Sequence, residues 1–260
     1  MSTYLYLVQR RGNNMEKFFN LDNPLFQALN KIIDTVVLSL IYTLFLAPAT
    51  FMGYVIINEG FYLLFILLFV ITMALVGPAT TALYYAMVKV IRRERGYALS
   101  EFFRSFKLNF RQGALIGMMF GLLIGLLYFD YKFVNEANKE DASTLNTIML
   151  IGFNAVVILM VLVSTYIFPL LSRFTLPIKN FFKNALFMSI RHLPSTLLMI
   201  LINFAGIFIV WWFFPLPFFF VIPGGCILLD SLLMEKIFKR YMPEAEGNPE
   251  ETGVDEWYRE

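Results

Sequence analysis

The chain has 260 residues, of which 15% are charged and 58% hydrophobic, with a formal net charge of +2. An ordinary soluble domain carries about 25% charge, so this chain has too little polar surface to wrap a water-soluble globule, and the same composition excludes disorder. One cysteine, Cys226, and one histidine, His192, exclude a disulfide framework and the usual zinc ligand set, and the small net charge gives no basis for a nucleic-acid partner.

Met1 to Asn14 stands outside the pattern that follows and reads as a flexible extension, residues 1–14, ahead of Met15. Its short apolar patch precedes Arg10 and Arg11 and is too brief for a secretory signal. Crossing a hydrocarbon core about 30 Å thick takes about 20 apolar residues. Uncharged runs on this scale occupy 35–58, 60–88, 112–129, 142–172 and 192–229. The last would reach about 57 Å as a single helix, and Pro215 and Pro217 near its middle break it into a hairpin. Six spans result, at about 35–57, 61–88, 112–131, 145–171, 193–214 and 218–238. They belong to a membrane domain over 15–242, followed by an acidic, disordered tail over 243–260. The expected fold is all-α: a polytopic membrane protein of six transmembrane helices in three hairpins with cytoplasmic amphipathic helices.

The distribution of cations tests this threading independently. With both termini cytoplasmic, 19 of the 21 Lys and Arg fall on the inner side and only Lys132 and Lys139 on the outer, as the positive-inside rule requires of a protein of the cell membrane. Each entry to a hairpin also carries a Phe-Phe pair among charges, at Phe18-Phe19, Phe102-Phe103 and Phe181-Phe182. Around the second pair Leu99, Phe102, Phe103, Phe106 and Phe110 share one helical face. Around the third, Phe181, Phe182, Ala185, Leu186 and Ile190 do. These patterns predict helices lying in the interface, in three tandem units. Their opposite faces carry Arg104, Lys107, Arg111, Lys179 and Lys183, a basic surface suited to anionic inner-leaflet lipid of the bilayer. The first copy is interrupted by Asp22-Asn23-Pro24, a cap with Pro at the first helical position, which starts the first span.

Gly113, Gly117, Gly121 and Gly125 recur every four residues in the third span. Lipid tails give helices no hydrophobic drive to associate, so such a stripe serves close backbone approach. Either a neighbouring helix of the same chain, with Gly77, Ala79, Thr80 and Ala86 as a candidate partner stripe, or a second copy in a homodimer can fill it. Asp230 is the ionisable residue well inside a span, and acids at that depth cost a few kcal/mol on insertion scales. It is a candidate for an ion pair with a basic neighbour or for a transport or gating role. Asn154 and Asn203 are mid-span amides expected to bond across helices, and with Asp230 they form a possible intramembrane polar site. No nucleophile elbow, phosphate loop or paired metal-binding histidine occurs. The expectation is a protein that is not an enzyme and needs no cofactor or metal.

The stretch Ala79-Thr80-Thr81-Ala82-Leu83-Tyr84-Tyr85, followed by Lys89 and then Gly96 through Gln112, resembles the YesL family of bacterial integral membrane proteins, a domain of unknown function. Met15 to Asp34, Tyr166 to Arg173 and Lys183 to Leu186 resemble other parts of the same family, so the similarity spans roughly 15–242. In this chain Phe51 to Val76 intervenes where members often have little sequence. The family has no established catalytic or ligand residues to carry over. Because its members are encoded beside carbohydrate uptake systems, the resemblance implies an accessory or regulatory role in a membrane transport or sensor complex. A small-solute transporter or channel is the alternative.

Overall fold

The computed structural model describes residues 24–59, 63–92, 97–140, 144–212 and 220–241. Helix α1 is Pro24–Glu59, and α2 is Leu63–Ala86, which runs into a π-helical segment, Met87–Arg92. Then come α3 (Ala98–Glu140), α4 (Thr144–Leu171), α5 (Ile178–Arg191), α6 (Leu193–Trp212) and α7 (Ile222–Phe238), with no strand among the described residues. The N-terminal extension, the Phe18-Phe19 motif, the hairpin turn at Pro215 and Pro217 and the acidic tail lie outside the described residues.

Among the described residues five helices, α1, α2, α3, α4 and α6, are long and apolar enough to cross a membrane. Leu44, Leu64, Leu122, Ile158 and Ile207 point outward from these helices and are exposed, the arrangement expected where lipid replaces water. The predicted sixth span contains α7, which at 17 residues is about 26 Å long. It is shorter than the other five, and its residues enter both main core clusters. Ile227 joins a cluster with Leu38, Leu83 and Phe102, while Met234, Ile237 and Phe238 join a second with Leu170, Phe181 and Met199.

The second predicted interfacial helix does not exist as a separate element. Residues 98–111 are the first turns of α3, a continuous helix of 43 residues. Nothing at Gln112-Gly113 stops the helix, and the predicted apolar face is divided: Phe102 is fully buried and Phe45 of α1 packs on the rings of both Phe102 and Phe106, whereas Leu99, Phe103 and Phe110 are exposed. The third copy does stand alone, as α5, because Pro194 follows closely on Arg191 and cannot continue the same helix. Its inward face is Phe181, Ala185, Met188 and Ser189, whereas Ile190, assigned to the apolar face by spacing, is exposed.

Among the described residues the most extensive helix packing is α2 on α3, across the boundary between two of the expected hairpins. The glycine stripe makes it possible. A Cβ at Gly113 would come within 2.8 Å of the Pro78 backbone, one at Gly117 would overlap the Met73 carbonyl, and one at Gly121 would meet Met73 at 2.9 Å. Gly125 faces Ile66. Of the expected partner stripe Gly77 faces Gly113, with Met73 and Pro78 completing the contact. The stripe is therefore filled by α2 of the same chain.

One end of the bundle gathers the cations. Lys89 meets Glu101 at 3.1 Å, Gln112 Nε2 donates to the Leu176 carbonyl at 3.1 Å, and Arg173 pairs with Glu235. These contacts, spread over about 16 Å of the first part of α3, join it to the π-helical segment after α2 and to the turn between α4 and α5, and join the end of α4 to α7. Arg104, Lys107, Arg111, Lys179 and Lys183 are all exposed there.

Candidate functional site

Polar side chains of α2 and α6 converge on Asp230, which has 0% exposure at the middle of α7. About 12 Å of helix separates it from Phe238 at the basic end. Its Oδ2 accepts the Asn203 amide from α6 at 2.6 Å and the Tyr84 hydroxyl from α2 at 3.3 Å. The sequence had suggested a basic partner, but the groups that reach the carboxylate are an amide and a phenol. The buried ion pair of this helix lies five residues on, where Glu235 takes Arg173. Asp230 Oδ1 is buried with no hydrogen-bond partner.

Asp230 lines a cavity of about 430 Å³ to which five helices contribute: Tyr42 from α1, Thr80 and Tyr84 from α2, Ser164 and Thr165 from α4, Asn203 from α6, and Ile227 from α7 among them. A second cavity of about 350 Å³ adjoins it, sharing Tyr42, Asn203, Ile207 and Ile227, and runs along α6 toward Val210 and Pro223. Asn154 is not part of this site. It lies on an exposed face of α4 with its amide donated to its own helix at Leu150, beside Tyr128 and Tyr131 of α3. The sequence grouping of Asp230, Asn154 and Asn203 thus resolves into one pair and one separate amide. Span depth alone does not say which way a residue faces.

Toward the basic end the site is closed. The Tyr166 hydroxyl and Thr196 Oγ1, 2.9 Å apart, bridge α4 and α6, and Tyr85, Met87, Leu170 and Met199 below are fully or almost fully buried. Toward the side, between α4 and α6, the cavity is edged by Val161, Phe204 and Ile207, all exposed. Two further polar features sit at the basic end. Lys89, besides Glu101, contacts the Tyr85 hydroxyl at 3.2 Å. His192 Nε2 lies 2.9 Å from the Tyr241 hydroxyl, and partial burial together with the positive charge of Arg240 and Arg191 holds its pKa below the ordinary histidine value. Among the described residues no group of three or more His, Cys, Asp and Glu is placed to hold a metal ion.

Sequence reasoning found Asp230 and Asn203 but not Tyr42, Tyr84 or the Glu235 pair. The available signal for Tyr84 was its place in the Thr-Ala-Leu-Tyr-Tyr segment. Tyr42 carried none, because a tyrosine in an apolar run reads equally well as lipid-facing.

Five long apolar helices among the described residues, with outward-facing hydrophobic side chains around buried polar groups that include Asp230, define a helical membrane protein. Residues 35–131, from α1 to the far part of α3, match a family described as a protein of unknown function, DUF624. No curated protein and no solved structure matches the chain. The matched stretch contains Tyr42, Thr80, Tyr84 and the glycine stripe, and lies before Asn203 and Asp230.

Proposed function

We propose that this protein is a non-enzymatic accessory or regulatory component of a membrane complex, seated in the cell membrane with both termini in the cytoplasm and with α7 as its sixth crossing. Resemblance to the YesL family makes carbohydrate uptake or sensing its setting. The observation that carries the reading is the double role of α7. Asp230 on this helix lines the cavity, and Glu235, just over one turn further, holds Arg173 at the basic end. A change at the cavity that shifts or rotates α7 alters the packing beneath the basic cytoplasmic surface without any solute passing through. The sealed floor under Asp230 also supports a component that senses over one that conducts.

The test is recovery from the native host with a membrane partner of an uptake system, identified by mass spectrometry, and loss of that partner when Lys107 and Lys183 are both changed to Glu. Repeated recovery of a lone monomer, together with solute flux in liposomes, contradicts the proposal. That outcome is the prediction of the second reading, a small-solute transporter, which one observation favours: the two cavities meet at Tyr42 and Asn203, extending polar contact from Asp230 toward the far end of α6.

A further inference from the structure

The donors that line the Asp230 cavity are already committed. Thr80 Oγ1 donates to the Val76 carbonyl, which makes Tyr42 the donor to Thr80 at 3.3 Å, and the hydroxyls of Ser164 and Thr165 both donate to the Val161 carbonyl. Tyr84 donates to Asp230. Asn203 places its side-chain nitrogen between Asp230 and the Met199 carbonyl, 2.8 Å away. What the site still has to offer is an acceptor, the buried Oδ1 of Asp230. Among the described residues no Lys, Arg or His lines the cavity. A carboxylate removed from water without a charge partner is costly, and a bound cation removes that cost.

We infer that this cavity is a binding site for a small amphiphile with an ammonium head, which enters from the bilayer between α4 and α6 and, with a side-chain shift that uncovers Asp230, places its N–H donors on Oδ1. The ammonium group supplies both the missing charge and the missing donors, and its apolar body lies against Phe168, Ile200 and Ile227. The route is lateral because the Tyr166–Thr196 bridge closes the cavity below, while Val161, Phe204 and Ile207 edge it at lipid depth. The volume, about 430 Å³, suits a ligand of small size. The inference does not rest on the partner reading: the site binds its ligand whether or not a complex forms.

The full chain in phosphatidylcholine nanodiscs is titrated with hexylammonium chloride and, in parallel, with sodium hexanoate, following the thermal unfolding midpoint. Hexylammonium is expected to raise the midpoint saturably, hexanoate to leave it unmoved, and Asp230→Asn to abolish the response. Ile207→Trp, a change at an exposed position of the mouth, is expected to weaken the apparent affinity at least about tenfold, a difference of 1.4 kcal/mol, with Asp230 untouched. An equal response in wild type and Asp230→Asn, showing partition into lipid alone, or no response in wild type, overturns the inference. Should Asp230→Asn not fold, a hexylammonium carrying a diazirine on its tail decides: crosslinks concentrated on 161–168 and 200–207 support the site, and crosslinks spread over lipid-facing positions such as Leu64 and Leu122 contradict it.

Discussion

Asn203 ties the middles of α6 and α7 together: its side-chain nitrogen reaches Asp230 Oδ2 at 2.6 Å while also contacting the Met199 carbonyl of its own helix at 2.8 Å. Removing the amide leaves the carboxylate with Tyr84 alone. Asn203→Leu is expected to destabilise the fold by about 2–3 kcal/mol, since a buried acceptor that loses its partner bears its full desolvation cost. Unfolding in nanodiscs measures this. Asn154→Leu, at an exposed amide bonded only to its own helix, is expected to change stability by less than about 0.5 kcal/mol.

The buried Lys89–Glu101 pair calls for a double-mutant cycle. Either single change, Lys89→Met or Glu101→Leu, strands a charge where the partners have side-chain exposures of 5% and 11%, and is expected to cost about 3–5 kcal/mol. The double variant is expected to recover most of that loss, because a hydrophobic pair of similar size avoids both desolvation penalties. Additive losses in the cycle would show that the pair does not couple.

The glycine stripe gives a graded series. Gly113→Ala and Gly117→Ala push a methyl group into the backbone of α2 and are each expected to cost about 1–3 kcal/mol. Gly125→Ala meets only the Ile66 side chain, at 3.3 Å, and is expected to cost less. Gly152→Ala on α4 has open space around it and is expected to be neutral or stabilising, as glycine is a poor helix former. Thermal midpoints of the four variants, measured side by side, test the order.

His192 sets a pH dependence at the basic end. Its pKa in the fold lies below the unfolded value of 6.5, with partial burial as the main cause and the charges of Arg240 and Arg191 adding to it. The unfolded chain therefore binds the proton more readily than the folded one, and stability falls as pH drops through and below 6.5. Unfolding midpoints at pH 7.5 and pH 5.5 are expected to differ by less in His192→Gln than in wild type.

The bulk plan of the molecule was open to reading from composition because lipid imposes so strong a rule: long uncharged runs become helices, and Pro24 at the first helical position marks where α1 begins. Two things were not. Amphipathic periodicity says that a helix has an apolar face but not what covers each residue of it or where the helix ends, so residues 98–111 read as a separate interfacial helix when they extend directly into α3, with Phe102 and Phe106 packed on Phe45 and Leu99, Phe103 and Phe110 left exposed. Charge-free length also fails for α7. This helix carries both Asp230 and Glu235 because Asn203 and Tyr84 reach one oxygen of Asp230 and Arg173 reaches Glu235, from three other parts of the chain. Those partners are separated by up to 146 positions in the chain, and only the packing brings them together.

Side-specific labelling tests the account most directly. In a Cys226→Ala background, single cysteines are placed at Lys183, on the exposed basic face of α5, and at Glu136, near the far end of α3. An impermeant maleimide added to intact cells is expected to label the Glu136→Cys protein at once and the Lys183→Cys protein only after the membrane is opened. Labelling of Lys183→Cys in sealed cells, or equal labelling of both, would contradict a bundle that crosses the membrane with its cations on the inner side.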